Sequence, residues 1–321
     1  MRVSSHWKPA ATITALKERA RILKKIRAFF DAREVTEVET PLLSEFSITD
    51  PAIEAMSVSY LYAAKQRTGF LQTSPEFAMK RLLAAGMGDC YQICHAFRSD
   101  ESGRFHNPEF TLLEWYRQNF DEKKLIAEID IFLQAILKTD SAEKISYQSL
   151  FKKYLNLDPL LSNYKTVKSC AEKYTSMVSE LTSKEAYLQL LFCELIEPEI
   201  GTKVPCFVTD FPAEQASLAR INTEDKRLSC RFELYFKGIE LGNGFYELNN
   251  ANEQYERFVE DNYNRKESGQ SEISIDKRFI AALEAGLPDC AGVAIGIDRL
   301  IMLACDLQSI EEVMAFTISN A

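Results

Sequence analysis

Residues 98–116 read Arg98-Ser-Asp-Glu-Ser-Gly-Arg-Phe-His-Asn-Pro-Glu-Phe-Thr-Leu-Leu-Glu-Trp-Tyr116. The polar, glycine-containing part of this segment, 99–108, has the composition of a loop. Apolar, β-branched and aromatic residues precede and follow it, which predicts strands at 90–98 and 109–118. The segment is therefore interpreted as the centre of a long β-hairpin.

The chemistry of this hairpin lies on one face of its second strand. Because side chains alternate along a strand, Phe110, Glu114 and Tyr116 share a face. Arg98, at the end of the first strand, offers a planar fork to a phosphate or carboxylate, and Phe110 offers a surface for a planar base. These residues predict a nucleotide site; a structural ion-pair network across an ordinary hairpin is the alternative.

A second hairpin is predicted over residues 231–247, with its turn at Lys237-Gly238. This turn would bring Glu233 and Glu240 to neighbouring positions on paired strands, where like charges repel. A magnesium ion carrying ATP phosphates would convert the repulsion into a binding site. Solvated charges at a sheet edge are the alternative. Glu247, beyond the glycines of this segment, would suit a cationic group on a substrate.

A third segment, residues 292–302, is an apolar strand with two glycines that leads through Asp298-Arg299 into an apolar helix. Glycine in a strand permits close approach of the backbone to another group. Arg299 near the helix start could meet a terminal phosphate, assisted by the positive end of the helix dipole. Ordinary packing of a strand and a helix is the alternative.

The remaining pattern predicts a single mixed α and β domain. An amphipathic helix is expected at 13–33 and a helical insertion at about 122–200. Further strands are expected at 205–210, 229–236, 239–247 and 291–297, and further helices at 251–266 and 275–286.

Composition excludes several classes of protein. With 321 residues, of which 46% are hydrophobic, the chain can bury a large core. The net charge of -9 disfavours an extensive nucleic-acid surface. No apolar run approaches the roughly 20 residues of a membrane span, so a cytoplasmic protein is expected. The eight cysteines are interpreted as free buried thiols, because the chain is far larger than the small disulfide scaffolds and several cysteines lie in apolar runs. A zinc site is not expected, since no CxxC is present.

Four motifs in this order resemble the signature regions of class II aminoacyl-tRNA synthetases, and in detail the lysyl branch. They read Thr73-Ser-Pro-Glu-Phe-Ala-Met-Lys-Arg-Leu82, His106-Asn-Pro-Glu-Phe-Thr-Leu-Leu-Glu-Trp-Tyr116, Glu240-Leu-Gly-Asn-Gly-Phe-Tyr-Glu-Leu248 and Gly296-Ile-Asp-Arg299. The resemblance implies an α+β catalytic core, with a mostly antiparallel β-sheet flanked by helices and a helical insertion. It also implies an ATP-dependent, AMP-forming ligase that uses Mg²⁺.

The resemblance assigns roles to individual residues. It implies that Arg98 and Arg299 are catalytic, and that Phe110 and Arg299 sandwich adenine. The implied ATP-binding residues are Arg98, Ser99, Asp100, His106, Asn107, Phe110, Glu240, Leu241, Gly296 and Arg299. The implied residues for a lysine-like substrate are Ser74, Pro75, Glu76, Glu114, Tyr116, Asn243, Glu247 and Ala294. The implied magnesium ligands are Glu233 and Glu240.

Two departures from the lysyl enzymes refine this interpretation. Asp100 stands where the second signature usually has glutamate, which is one methylene longer. The first signature begins near residue 34, which leaves no room for an N-terminal OB-fold anticodon-binding domain, so tRNA charging is not expected. In both length and loop the chain is similar to the elongation factor P lysine ligases, truncated paralogues of lysyl-tRNA synthetase. These transfer (R)-β-lysine to a lysine of elongation factor P.

Ala294 lies where full-length lysyl enzymes commonly have glycine, and its methyl group is hypothesised to favour β-lysine over α-lysine; simple packing is the alternative. The first signature region implies a homodimer. Two other functions stay open: activation of α-lysine for another acceptor, and a non-catalytic, synthetase-like binding subunit.

Overall fold

The computed structural model describes residues 7–99, 101–174, 181 and 183–321. The chain divides into two compact units. The first unit comprises Met1–Asn119, Asn249–Cys290 and Ala294–Ala321, and the second comprises Phe120–Leu248 with Ala291–Val293.

The described part of the first unit contains five α-helices and the strands of the hairpin predicted around residues 98–116. Its helices are α1 (Ile13–Asp31), α2 (Glu76–Ala84), α7 (Ala251–Glu267), α8 (Lys277–Gly286) and α9 (Ile297–Ala304). Its strands are β1 (Thr36–Glu37), β2 (Leu43–Ser44), β3 (Ser57–Tyr62), β4 (Lys65–Leu71), β5 (Cys90–Phe97), β6 (Glu109–Gln118) and the part of β11 (Cys290–Gly296) that belongs to this unit.

Helix α1 forms because its apolar residues recur at helical spacing and Thr12 caps its start by accepting a hydrogen bond from the Ala15 backbone N–H at 3.1 Å. Its buried face carries Phe30, whose ring stacks on Tyr91 at 4.3 Å and meets Trp115 edge-on at 5.3 Å. Burial of these aromatic rings fixes α1 against β5 and β6.

The predicted hairpin around residues 98–116 is present. Strand β5 pairs antiparallel with β6, with Ala96 opposite Phe110 and Cys90 opposite Tyr116. Strand β1 pairs parallel with β5, and β11 follows β6 in the strand order. A separate three-stranded sheet has the order β2-β4-β3.

The second unit contains the helical block and the second hairpin. Its helices are α3 (Glu122–Leu137), α4 (Tyr147–Leu155), α5 (Tyr164–Ala171) and α6 (Lys184–Leu191), followed by a π-helical turn at Phe192–Ile196. Its strands are β7 (Glu143–Ser146), β8 (Cys206–Pro212), β9 (Leu228–Phe236) and β10 (Ile239–Tyr246), in the order β10-β9-β8-β7. The helices bury an aromatic cluster in which Tyr147 stacks on Phe192 at 5.3 Å.

The predicted α+β class with a mostly antiparallel sheet is confirmed, because β3–β4, β5–β6, β8–β9 and β9–β10 pair antiparallel, whereas the short strands β1 and β7 pair parallel with β5 and β8. Strand β7 was not predicted within the helical block. It is short, it lies last in the strand order, and its sequence Glu143-Lys-Ile-Ser146 has little of the β-branched character that identifies strands. The single-domain interpretation remains a prediction.

Candidate active site

Arg98 lies where the first strand of the β5–β6 hairpin gives way to its loop. Its backbone N–H donates to Pro108 O at 3.0 Å, and its guanidinium carbon lies 5.1 Å from the Phe110 ring centroid. Its Nη1 is 3.4 Å from Glu101 Oε1. Its Nε is buried and has no hydrogen-bond partner among the residues that the structure describes. A buried donor without an acceptor is costly, so this arginine is suited to receive an anion.

Arg299, in the first turn of α9, contacts the loop of the same hairpin. Its Nε donates to Phe105 O at 3.1 Å, and its Nη2 lies 2.6 Å from His106 Nε2. The N-cap position of α9 is Gly296. The structure thus brings Arg299, His106 and Gly296 together, while the predicted stacking of Arg299 and Phe110 on adenine stays a prediction.

Asn107 is engaged by the backbone. Its amide nitrogen donates to Glu109 O at 2.6 Å, and its amide oxygen accepts from the Ile318 N–H at 3.1 Å. The side chain is buried and ties the hairpin loop to the C-terminal segment. Its predicted contact with ATP is not tested by this arrangement. Asp100 lies outside the described residues.

Asp298 fixes the start of α9, and no role was predicted for it. One carboxylate oxygen accepts from Arg19 Nη1 on α1 at 2.6 Å, and the other accepts from the Thr111 N–H on β6 at 2.7 Å. Only 3% of Asp298 is exposed. Because Arg299 is the next residue, this buried network holds the backbone from which the Arg299 side chain extends. The sequence signal was an acidic residue in the first turn of an apolar helix.

Glu76 begins α2, directly after Ser74 and Pro75. The Glu76 backbone N–H is 3.4 Å from Ser74 Oγ, and Pro75 occupies the N-cap position. The Glu76 carboxylate accepts from Lys80 Nζ at 2.6 Å, and Lys80 is 1% exposed. The prediction did not include Lys80, although a glutamate four residues before a lysine on a helix is a recognisable ion-pair spacing.

Glu114 and Tyr116 lie on the same face of β6, as the alternation of the strand predicted. The Tyr116 hydroxyl donates to Glu114 Oε1 at 2.7 Å, and both side chains are buried. A buried carboxylate with a hydroxyl donor is held in one orientation. This pair could receive an amine from a bound substrate.

In the second unit, Arg231 joins two of the predicted site residues. Its guanidinium forms an ion pair with Glu233, and its Nε donates to Asn243 Oδ1 at 3.2 Å. Tyr235 also donates its hydroxyl to Glu233. Arg231 was part of the quoted segment but received no role; two-residue spacing along a strand was the available signal.

The second hairpin has its turn at Lys237-Gly238, as predicted, so that Glu240 lies opposite Tyr235. A bulge between Glu240 and Gly242 then places Glu233 opposite Asn243. The two carboxylates interact electrostatically. The pKa of Glu233 is raised, chiefly because the side chain is buried; the positive charge of Arg231 lowers this pKa, and the negative charge of Glu240 raises it. A bound cation would offset both the cost of burying the Glu233 charge and its repulsion by Glu240.

Three other predicted residues occupy buried or partly buried strand positions. Leu241 is 2% exposed and Glu247 is 1% exposed, and the Glu247 carbonyl accepts from Arg220 Nε at 2.6 Å. Ala294 lies in the part of β11 that belongs to the first unit and is partly buried. Their contacts with a substrate stay predictions.

Within the described ranges, no three histidine, cysteine, aspartate or glutamate side chains form a metal-binding cluster. The pair Glu233 and Glu240 nevertheless fits a magnesium ion that takes its other ligands from phosphate and water, because Mg²⁺ in nucleotide sites is usually held by one or two carboxylates. In the described part of the chain, no helix is long and apolar enough to cross a membrane.

The comparisons with known proteins agree over nearly the whole chain. Residues 6–320 match the family model for tRNA synthetases class II (D, K and N). The "Elongation factor P--(R)-beta-lysine ligase" of Pseudoalteromonas translucida is 50% identical over 319 residues, 98% of each chain. Proteins of the same name from Mannheimia succiniciproducens and Pasteurella multocida are 49% and 48% identical, again over 98% of each chain. The chain therefore belongs to the family of class II tRNA synthetases (D, K and N).

Proposed function

We propose that this chain is an ATP-dependent ligase that activates (R)-β-lysine as an aminoacyl-adenylate and transfers it to a lysine side chain of elongation factor P. One observation carries the proposal: relatives with this name share about half of their residues with the chain over nearly their full length. The activation step is supported independently by Arg98, whose buried Nε is available for an anion.

In the activation step, the carboxylate of the amino acid attacks the α-phosphorus of ATP and pyrophosphate leaves. No protein nucleophile is needed, so catalysis rests on positioning and on stabilising negative charge. Arg98 is proposed to contact the α-phosphate and the substrate carboxylate. Phe110 and Arg299 are proposed to hold adenine, and His106 to stay beside Arg299. The remaining proposed ATP contacts are Ser99, Asp100, Asn107, Leu241 and Gly296.

Magnesium is proposed to bind Glu233 and Glu240. When bound, it supplies positive charge to the phosphates and lowers the cost of expelling pyrophosphate. Arg231 and Tyr235 both bond the Glu233 carboxylate and would hold it in place for the ion. The raised pKa of Glu233 is consistent with a carboxylate that needs a cation nearby.

The substrate amines are proposed to meet carboxylates. Glu76, held by Lys80, would take the amine near the substrate carboxylate. Tyr116, which bonds Glu114, is proposed to contact the distal amine, and the same contact is proposed for Glu247. The other proposed substrate contacts are Ser74, Pro75, Asn243 and Ala294.

The transfer step forms an amide bond between the activated carboxyl group and the ε-amine of the acceptor lysine, with release of AMP and a proton. A homodimer, a single catalytic domain and a cytoplasmic location are proposed with this function. They rest on the family resemblance and on the acceptor being a translation factor.

The first experiment is amino-acid-dependent exchange of pyrophosphate into ATP, with (R)-β-lysine, with α-lysine and without amino acid. We expect strong exchange with (R)-β-lysine. A preference for α-lysine would favour a ligase for another acceptor, and no exchange with either would favour a non-catalytic binding subunit.

Two further measurements sharpen this experiment. Incubation with ATP, (R)-β-lysine and elongation factor P should increase the mass of the factor by one lysyl group, and omission of ATP is the control. The Ala294→Gly variant should shift the ratio of β- to α-lysine activation toward α-lysine. An unchanged ratio would leave Ala294 with a packing role only.

A further inference from the structure

Helix α7 carries a buried arginine, Arg265, in its last turn. Its side chain is 2% exposed. Arginine loses its hydration when it is buried this deeply, and it is tolerated only where its donors find acceptors. The acceptors of Arg265 therefore show which segments the side chain holds together.

Arg265 donates to two segments that are far apart in sequence. Its Nε donates to Ser271 O at 2.7 Å, just beyond α7. Its Nη1 donates to Asp50 O at 3.3 Å, and its Nη2 donates to Glu54 Oε2 at 3.1 Å. A neighbouring side chain bonds the same segment: Gln270 Nε2 donates to Pro51 O at 3.0 Å. The end of α7 thus fastens the segment 50–54.

Glu54 connects this segment to the proposed phosphate contact. Its carboxylate accepts from Arg265, and its backbone carbonyl accepts from the Ser99 N–H at 2.8 Å. Ser99 follows Arg98, whose own N–H is fixed by Pro108 O. Arg265 is therefore connected to the backbone next to Arg98 by two hydrogen bonds, one to the Glu54 side chain and one from the Ser99 N–H to the Glu54 carbonyl.

We propose that Arg265 is a positioning residue: through Glu54 it holds the Ser99 backbone, and thereby aims Arg98 at the α-phosphate. The catalytic part of this inference rests on the proposed function of Arg98, whereas its structural part, the coupling of Arg265 to the Ser99 amide, does not. A lysine could not replace this arginine, because three donors in one plane reach three acceptors on two segments.

The coupling is measured by hydrogen–deuterium exchange at the Ser99 amide, in the full-length protein without ligands. The variants are Arg265→Lys, which keeps the charge, and Arg265→Met, which keeps the length and removes the donors. Asn262→Ala is the matched control. Asn262 is buried on the same helix, but within the described ranges its side chain bonds only the backbone N–H and carbonyl of Ile273, at 2.8 and 2.9 Å.

We expect both Arg265 variants to lose protection at the Ser99 amide, while Asn262→Ala keeps it. If the Arg265 variants fail to fold, Glu54→Ala provides the same test, because the Glu54 side chain is 50% exposed and Arg265 keeps its backbone acceptors Ser271 O and Asp50 O. Unchanged protection of Ser99 in the variants that fold would overturn the inference.

The consequence for catalysis is measured by pyrophosphate exchange with (R)-β-lysine. Arg265→Lys should lower kcat/KM for ATP by roughly tenfold, the order expected when a contact is misplaced without being removed. Asn262→Ala should stay near the wild-type value even if it unfolds more easily. The double variant Glu54→Ala, Arg265→Lys should lose no more than the worse single variant, since both break one path.

The outcomes separate the two hypotheses. Loss of Ser99 protection without any exchange activity in the wild-type protein would refute the proposed function and leave the coupling intact. Equal losses of activity in Arg265→Lys and Asn262→Ala, in proportion to their stability, would reduce Arg265 to a structural residue.

Discussion

Replacement of Asp298 by alanine should destabilise the first unit by about 3 kcal/mol, the usual cost of removing one member of a buried ion pair. Asp298 is 3% exposed and accepts charge-assisted hydrogen bonds from Arg19 at 2.6 Å and from the Thr111 N–H at 2.7 Å. Without it, the Thr111 N–H is left buried without this acceptor, at a cost of about 1–3 kcal/mol. The Arg19 side chain is 18% exposed, so water compensates part of its loss.

The magnitude should depend on what replaces the carboxylate. Asp298→Asn keeps an acceptor for the Thr111 N–H and loses only the charge, so it should cost about half as much as alanine. Glu45→Ala is the matched control, because Glu45 pairs with Arg278 at a similar 2.7 Å but is about half exposed. Exposed pairs contribute at most about 1 kcal/mol.

The assay is urea unfolding followed by tryptophan fluorescence. The chain has two tryptophans, and Trp115 is fully buried on β6, so its signal reports on the first unit. With a slope of about 2–3 kcal/mol per molar urea, Asp298→Ala should lower the midpoint by roughly 1 M. A shift no larger than that of Glu45→Ala, or an equal shift for asparagine and alanine, would refute the reasoning.

Three further predictions concern single groups. Burial raises the pKa of Asp261 from 3.8 to about 6, so the folded protein loses stability as the pH rises from about 4 to about 6 and regains none above. Asp261→Asn should therefore unfold at higher urea than wild type near pH 8, with the advantage lost near pH 4, as parallel unfolding curves would measure. Tyr116→Phe removes the hydroxyl that orients Glu114 and should raise the KM for (R)-β-lysine by about tenfold in pyrophosphate exchange, with the KM for ATP unchanged. Glu240→Gln should raise the Mg²⁺ concentration for half-maximal exchange by roughly tenfold, and an unchanged magnesium curve would remove Glu240 from the ion's ligands.

Local sequence patterns were sufficient for most of the fold. Alternation and turn residues predicted the β5–β6 hairpin to within a residue, because both strands are long and have a buried face. The bulge after Glu240 could not be predicted, since the turn sets an initial register but one extra residue changes it. Strand β7 was not predicted because its polar sequence is stabilised by pairing with β8 rather than by its own strand propensity.

Site residues could be predicted only where they belong to short sequence motifs. Arg98 and Phe110 belong to one hairpin, and their contact follows from its register. The supporting residues depend on tertiary contacts: Arg265 finds Asp50 and Glu54 at separations of 215 and 211 residues. A single sequence contains no signal for pairs so distant, since neither spacing nor composition links them.

Two buried charges of the first unit, Asp298 and Arg265, share one arrangement. Each is linked to a proposed ligand contact: Asp298 precedes Arg299, and Arg265 acts through Glu54 on Ser99. Burying a charge costs several kcal/mol before its partners compensate, so such pairs add little net stability and an apolar residue of similar volume would often serve the fold as well. Orientation distinguishes them from apolar packing, because a hydrogen-bonded carboxylate or guanidinium fixes direction as well as position. Substitutions of these residues should therefore impair the use of ATP more than their effect on stability alone explains, and a strict proportionality between the two losses would contradict this account.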